Sequence, residues 1–277
     1  MPDIGPKNIS PAYRLPVEDM DFLLRDELRG TRFMLEYEKA ELSLRDWGVR
    51  STVIVFGSDR IPAPEQAEAE LGAAQGPEAV AHAKHRVELS RYYAEARNFG
   101  RIVSERGGAL CDDGDLRDNV IATGGGPGIM EAANRGAADA GAPSIGFNIA
   151  LPHEQQPNPW STPELTFQFH YFAMRKMHLA MRANALVAFP GGFGTLDELF
   201  EILTLEQTRK APAAPVVLMG RSYWQRLMNF EVLVEDGMID AADLSLFYFA
   251  DTAEEAWAEL LAHGLKAHTP PEDRPGK

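Results

Sequence analysis

A chain of 277 residues with 45% hydrophobic content can bury a substantial core, as one large α/β domain or two small ones. Its 41 acidic against 27 basic side chains give a formal charge of −14, which disfavours non-specific binding to nucleic acid or to an anionic membrane. The only cysteine, Cys111, allows no internal disulfide and points to a reducing, cytoplasmic setting. Cys111 stands beside Asp112 and Asp113, whose charges disfavour a thiolate, so a nucleophilic role is not expected. No apolar stretch is long enough to span a bilayer, and residues 1–16 lack the positive-then-apolar pattern of a signal peptide.

Along the chain, residues 1–17 hold four prolines and read as a loose arm. Residues 18–47 are charged and amphipathic, which predicts one or two helices with a break at Gly30 and Thr31. A strand over 52–56 (TVIVF) runs into Gly57 and Ser58. Residues 62–77, rich in Ala, Glu and Gly, read as an exposed insertion, and a long helix follows over 78–105. After the acidic loop 111–115 comes a strand over 119–123 (NVIAT). It leads into Gly124, Gly125, Gly126, Pro127 and Gly128, then a helix over 129–140 with Glu131 and Asn134 on its first turns. Further strands are expected over 144–149, 165–169, 185–189, 215–219 and 247–249, and further helices over 173–183, 196–208, 224–235 and 253–263. Strands alternating with helices predict a Rossmann-like, doubly wound α/β fold, a mainly parallel sheet with helices on both faces. The expected layout is a single domain over 18–265, including an N-terminal helical extension (18–47), and a disordered tail over 266–277.

Two glycine-rich turns carry the chemistry. The second is Pro190, Gly191, Gly192, Phe193, Gly194 and Thr195, between an apolar strand and a helix bearing Leu196, Leu199, Phe200 and Leu203. Such a turn leaves backbone N–H groups aimed at one point and adds the positive end of the helix dipole, a natural phosphate site. Glu198 is expected on the first helical turn, within reach of whatever carries the phosphate. Neither turn meets the dinucleotide fingerprint, because Ile129 and Asp197 stand where its third glycine would be, and no GK[ST] follows either. In a parallel sheet the ligand sits outside the carboxyl ends of the strands, so the turns at 57–58, 124–128 and 190–195 imply one crevice.

Between the two turns, Arg175 and Arg182 are seven apart and share a predicted helix face, with Lys176 turned elsewhere. Arginine suits the crevice because its planar fork binds phosphate or carboxylate in two-pronged fashion. His82, His85, His170 and His178 form no HExxH or zinc-ligand pattern, so no metal is expected. Nothing marks Lys176 as a pyridoxal phosphate lysine.

The runs GGGPGIMEAANRGA at 124–137 and PGGFGTLDE at 190–198, with MRK at 174–176 between them, resemble the LOG (Lonely Guy) family over roughly residues 50–250. Its members, long labelled possible lysine decarboxylases, look like nucleoside 5′-monophosphate phosphoribohydrolases that release free base and ribose 5-phosphate. The resemblance implies Arg175 and Glu198 as catalytic residues, and a neighbouring Arg175 charge is expected to keep Glu198 ionised by lowering its pKa. The resemblance also matches Gly191, Gly192, Phe193, Gly194 and Thr195 to the family's phosphate cradle, and Gly57, Ser58, Gly125, Gly126, Glu131, Lys176 and Pro190 complete the expected substrate-binding set. Glu131 and Glu154 are the two candidates for protonating the leaving base. No cofactor is implied, and the expected assembly is a homodimer or higher homo-oligomer. The chain departs from compact plant-type members at Ala173 and Met174, and at Glu131 where those have glycine. The helical arm and the segment LPHEQQPNPW at 151–160 resemble larger bacterial relatives. A purine or pyrimidine monophosphate is therefore the expected substrate, with AMP or a cytokinin riboside monophosphate among the candidates. The alternative is a non-catalytic carrier of a nucleotide derivative or molybdenum cofactor, which has no need of an Arg and Glu beside the phosphate loop.

Overall fold

The computed structural model describes residues 11–110, 116–151, 156–211 and 214–266. Cys111, the acidic loop at 111–115, Glu154 and the tail beyond 266 lie outside the described residues.

Seven short strands form one sheet: β1 (Thr52–Phe56), β2 (Val120–Thr123), β3 (Ser144–Ile149), β4 (Thr166–Phe169), β5 (Ala183–Ala188), β6 (Val216–Met219) and β7 (Phe247–Ala250). Their order is β4-β3-β2-β1-β5-β6-β7, and every pairing is parallel. The chain works outward from β1 to β4, then returns to the other side of β1 as β5. The carboxyl ends of β1 and β5 therefore bound the point where strand order reverses, the usual ligand crevice of open α/β sheets.

The helices are α1 (Met20–Leu23), α2 (Arg29–Asp46), α3 (Pro64–Ala73), α4 (Pro77–Arg106), α5 (Ile129–Asp139), α6 (Phe172–Met181), α7 (Phe193–Gln207), α8 (Arg221–Leu227), α9 (Glu231–Glu235) and α10 (Ala253–Ala262). Because a strand turns alternate side chains to opposite faces, β1 sends Val53 and Val55 one way and Ile54 and Phe56 the other. The first pair packs with Phe99 and Ile102 of α4, Ile129 and Ala133 of α5 and Trp257 of α10. The second packs with Leu44 of α2, Leu179 of α6, Leu199 of α7 and Trp224 of α8. The sheet is buried on both faces, as the apolar strand sequences require.

Four expectations are corrected. Gly30 does not break the N-terminal helix; it sits in the first turn of α2, and the break falls earlier, between α1 and α2. Residues 62–77 are not a plain exposed insertion. Pro64 opens α3, where proline's missing N–H costs nothing, and Ala67 is buried. The expected helix over 224–235 is two helices, α8 and α9. Helix α7 starts at Phe193 rather than 196, so Glu198 stands on its second turn, not its first.

Candidate active site

Three strand ends meet at the sheet's carboxyl edge. The Ser58 N–H donates to the Pro190 carbonyl at 2.9 Å, and the Ser58 carbonyl accepts from Ile129 N–H at 3.1 Å. The β1 turn is thereby stitched to both glycine-rich turns. Tyr223 of α8 adds a hydroxyl bond of 2.6 Å to the Gly191 carbonyl. Between these turns opens a cavity of about 680 Å³, within the range of small-molecule sites.

Of the binding residues expected from sequence, Gly57, Ser58, Gly126, Gly192, Phe193, Gly194 and Thr195 line this cavity, together with Arg175. Helix α7 begins at its wall with Gly192 as N-cap and no side-chain cap. The N–H groups of Phe193 and Gly194, both on the cavity wall, therefore have no intrahelical acceptor, whereas Thr195 N–H donates to the Gly192 carbonyl at 3.0 Å. Gly125 lies just behind, its N–H bonded to Thr123 Oγ1 at 2.9 Å. Pro190 and Gly191 shape the turn through the carbonyl bonds described above.

Glu198 is 3% exposed and receives a hydrogen bond from Arg175 Nη2 at 3.1 Å. Arg175 itself reaches the cavity, its guanidinium 5.2 Å from the centre of the Phe172 ring. Burial pushes the Glu198 carboxyl up to about 7, outweighing the Arg175 and Lys176 charges that pull it down. The expectation that Arg175 keeps Glu198 fully ionised is thus corrected: desolvation wins, and Glu198 titrates near neutrality. Lys176 bridges to Asp197 at 2.8 Å and Glu201 at 3.0 Å on α7. Burial pulls its ammonium down, but those two hydrogen bonds outweigh it and hold it above its ordinary value.

Other expected members lie elsewhere. Glu131 accepts the Tyr93 hydroxyl at 2.7 Å and lines a separate pocket of about 260 Å³ with Arg86 and Gln66. Arg182 does not share a face with Arg175, because α6 ends at Met181; its guanidinium pairs with Glu41 of α2 at 2.8 Å. His178 is a core histidine stacked on Tyr37 and Phe147. Among the described residues, no group of three or more His, Cys, Asp or Glu could hold a metal. No described helix is long and apolar enough to cross a membrane.

Residues 130–260 match the family described as "possible lysine decarboxylase". The chain is 30% identical over 145 residues to the probable cytokinin riboside 5′-monophosphate phosphoribohydrolase LOG4 of Oryza sativa subsp. japonica, covering 51% of this chain and 62% of that one. It is 28% identical over 145 residues to the cytokinin riboside 5′-monophosphate phosphoribohydrolase LOG3 of Arabidopsis thaliana, covering 51% and 66%. The chain thus spans less than two thirds of the length of these two relatives. A solved structure, that of TM1055, is similar over 76% of this chain and 99% of its own, at 22% identity and a TM-score of 0.49.

The chain resembles the LOG phosphoribohydrolases over about half of its length.

Several cavity residues escape a motif reading. Asn148, Ile149 and Leu151 arrive from the end of β3, Met130 from α5, and Asp59 and Arg60 from the β1 turn. Position is the signal that could have found the last two, since they directly follow Gly57 and Ser58. Asn158 was equally hidden: its side chain bonds the Gly126 carbonyl at 3.1 Å and Asn134 at 3.0 Å from a segment with no periodicity.

Proposed function

We propose that this chain is a nucleoside 5′-monophosphate phosphoribohydrolase, hydrolysing the N-glycosidic bond to free base and ribose 5-phosphate. The observation that carries the reading is the buried Arg175–Glu198 pair at the wall of a glycine-lined cavity, which a passive carrier has no use for. The uncapped start of α7 suits a 5′-phosphate. Loss of the base breaks the bond from C1′ to nitrogen, the electron pair leaving with the nitrogen, and builds positive charge on the ribose ring. Ionised Glu198 opposes that charge and takes a proton from the water whose oxygen forms the new bond to C1′. The departing nitrogen needs one proton, and the water supplies one. A carboxyl that titrates near 7 is matched to proton transfer at neutral pH. Arg175 steadies the ionised form.

The names of the relatives support cytokinin riboside 5′-monophosphates as substrates to test first, with AMP beside them. A homodimer or higher homo-oligomer belongs to the same reading, supported by Phe193, 91% exposed, and the exposed Phe200 on the same helix. So does a cytoplasmic setting, supported by the single cysteine.

The test is chromatography of AMP, GMP, IMP, CMP, UMP and N6-prenyl AMP after incubation with the purified protein. Free base and ribose 5-phosphate should appear in equal amounts from at least one of them. No release from any, with a nucleotide still protecting the protein against heat, would turn the reading to a binder.

A further inference from the structure

Helix α6 carries Arg175, yet its N-terminus has no cap of its own: Tyr171, just before the helix, makes no side-chain bond to the first turn. The acceptor comes from α2 instead. One carboxylate oxygen of Glu36 accepts the His170 N–H at 2.8 Å, and the other accepts the Tyr171 N–H at 3.2 Å. One turn earlier, Arg32 donates to the Tyr171 hydroxyl at 2.9 Å, and Phe33 meets the Tyr171 ring edge-on at 4.4 Å. Arg32 also donates to the carbonyls of Leu23 and Arg25, drawing in the segment before α2. Farther along, Tyr37 stacks on His178 at 5.3 Å, and Glu41 pairs with Arg182. Helix α2 thus grips α6 before its first turn, in its middle and at its end.

We infer that the N-terminal extension, through Glu36 above all, is the device that sets Arg175 against Glu198. Glu36 is absent from the cavity wall, so it is a positioning residue. A two-pronged carboxylate at a helix start satisfies two donors and complements the dipole, which locks the direction of the helix. Arg175 meets Glu198 through a single hydrogen bond, so a small swing of α6 weakens the pair. The extension lies outside the matched residues 130–260, whereas its partners His170 and Tyr171 lie within them. Only the kinetic part of its test rests on the proposed hydrolase reading.

The experiment compares Glu36→Ala and Glu36→Gln with Glu38→Ala, an exposed neighbour on the same helix, after circular dichroism has established that each is folded. The first readout is the pH titration of the Glu198 carboxyl followed by ¹³C NMR, which needs no turnover. The charges facing that carboxyl are Arg175 and Lys176 from α6 and Asp197 and Glu201 from α7, with Asp59 and Arg60 on the same cavity wall. The substitutions loosen only the α6 pair. Glu36→Ala should move the midpoint upward, because an arginine held less closely opposes the effect of burial less. Glu36→Gln, which keeps one acceptor oxygen, should move it less, and Glu38→Ala should not move it. In turnover, Glu36→Ala should lower kcat about tenfold with KM within about twofold, since small misplacements are costly in rate. A folded Glu36→Ala with an unmoved Glu198 midpoint overturns the inference. If the alanine variant does not fold, the glutamine variant decides by the same midpoint. A moved midpoint in a protein that releases no base would leave the positioning role standing and the hydrolase reading refuted.

Discussion

The two glycine-rich turns look alike on paper, and the structure separates them by what each glycine is for. In the first turn, Gly125 and Gly128 hold φ of +72° and +70°, which side-chain-bearing residues rarely adopt. A Cβ at Gly125 would overlap the Asn148 amide, and one at Gly128 the Ser58 carbonyl. Packing accounts for these glycines. In the second turn Gly191 is similar, pressed against Thr195 and Ser58, but Gly192 and Gly194 are not. Their backbone is ordinary, and a Cβ at either would meet nothing within 4 Å. Glycines that neither conformation nor packing demands, on the wall of a cavity at a helix start, leave room for something that is not protein. One turn is a joint, and the other is the cradle that the proposed function requires.

The largest expected effect tests what the cradle's helix adds. Glu198→Gln should lower kcat about a hundredfold or more while nucleotide binding survives, measured by steady-state kinetics and thermal protection. The same variant should be more stable than the parent at alkaline pH. A carboxyl raised from 4.5 to about 7 binds its proton more tightly when folded, so folding stability falls as pH rises from about 4.5 to about 7. The shift is worth about 3 kcal/mol, part of which the glutamine forfeits by weakening the pair with Arg175. A net gain of about 1–3 kcal/mol at pH 8, fading toward pH 5, is the expected result of denaturant titration. A variant no more stable at pH 8 than at pH 5, relative to the parent, would mean that Glu198 is not held at the cost of burial.

Next comes the joint. Gly128→Ala should cost about 3 kcal/mol or more in urea melts, from backbone strain and the Ser58 overlap together. Asn158→Ala should cost about 2 kcal/mol, because it takes the side-chain donor from the Gly126 carbonyl and the side-chain acceptor from the Trp160 and Ser161 N–H groups, while Asn134 Oδ1 keeps Thr123 as a donor. Both act on stability first. A fully stable Gly128→Ala would erase the distinction between the turns.

How much of this was legible follows from what each signal depends on. All seven strands could be read because a sheet buried on both faces demands continuous β-branched and aromatic runs, as in TVIVF and PVVLM. Helix α3 was not, since it offers one buried alanine, Ala67, in a stretch whose proline and glycine read as loop. The start of α7 was displaced because Gly194 counted as turn, although glycine in a first helical turn is tolerated; that error moved Glu198 by a turn. The shared face assumed for Arg175 and Arg182 required a helix that in fact stops at Met181. Motif spacing brought Arg175 and Glu198 into view, but the titration of Glu198 depends on burial, a tertiary property that no local pattern carries. The grip of Glu36 on the start of α6 joins residues 134 apart and leaves no mark in either local pattern.

The smallest expected effect on stability is also the sharpest test of the cradle. Gly192→Ala should leave the urea midpoint unchanged. Gly194→Ala, in the first turn of α7, should raise stability by about 0.5–1 kcal/mol, as replacing a helical glycine by alanine does. Both methyl groups would project into open space, which the proposed function assigns to the nucleotide's phosphate. Each variant should therefore raise KM about fivefold or more for any nucleotide the protein turns over, with the helix N–H groups forced away from the anion. The pattern to look for is opposite in sign at the two turns: at Gly128 folding fails before binding does, and at Gly194 binding weakens in a protein that has become more stable. Equal loss of stability at both positions would mean that the second turn, like the first, is only a joint.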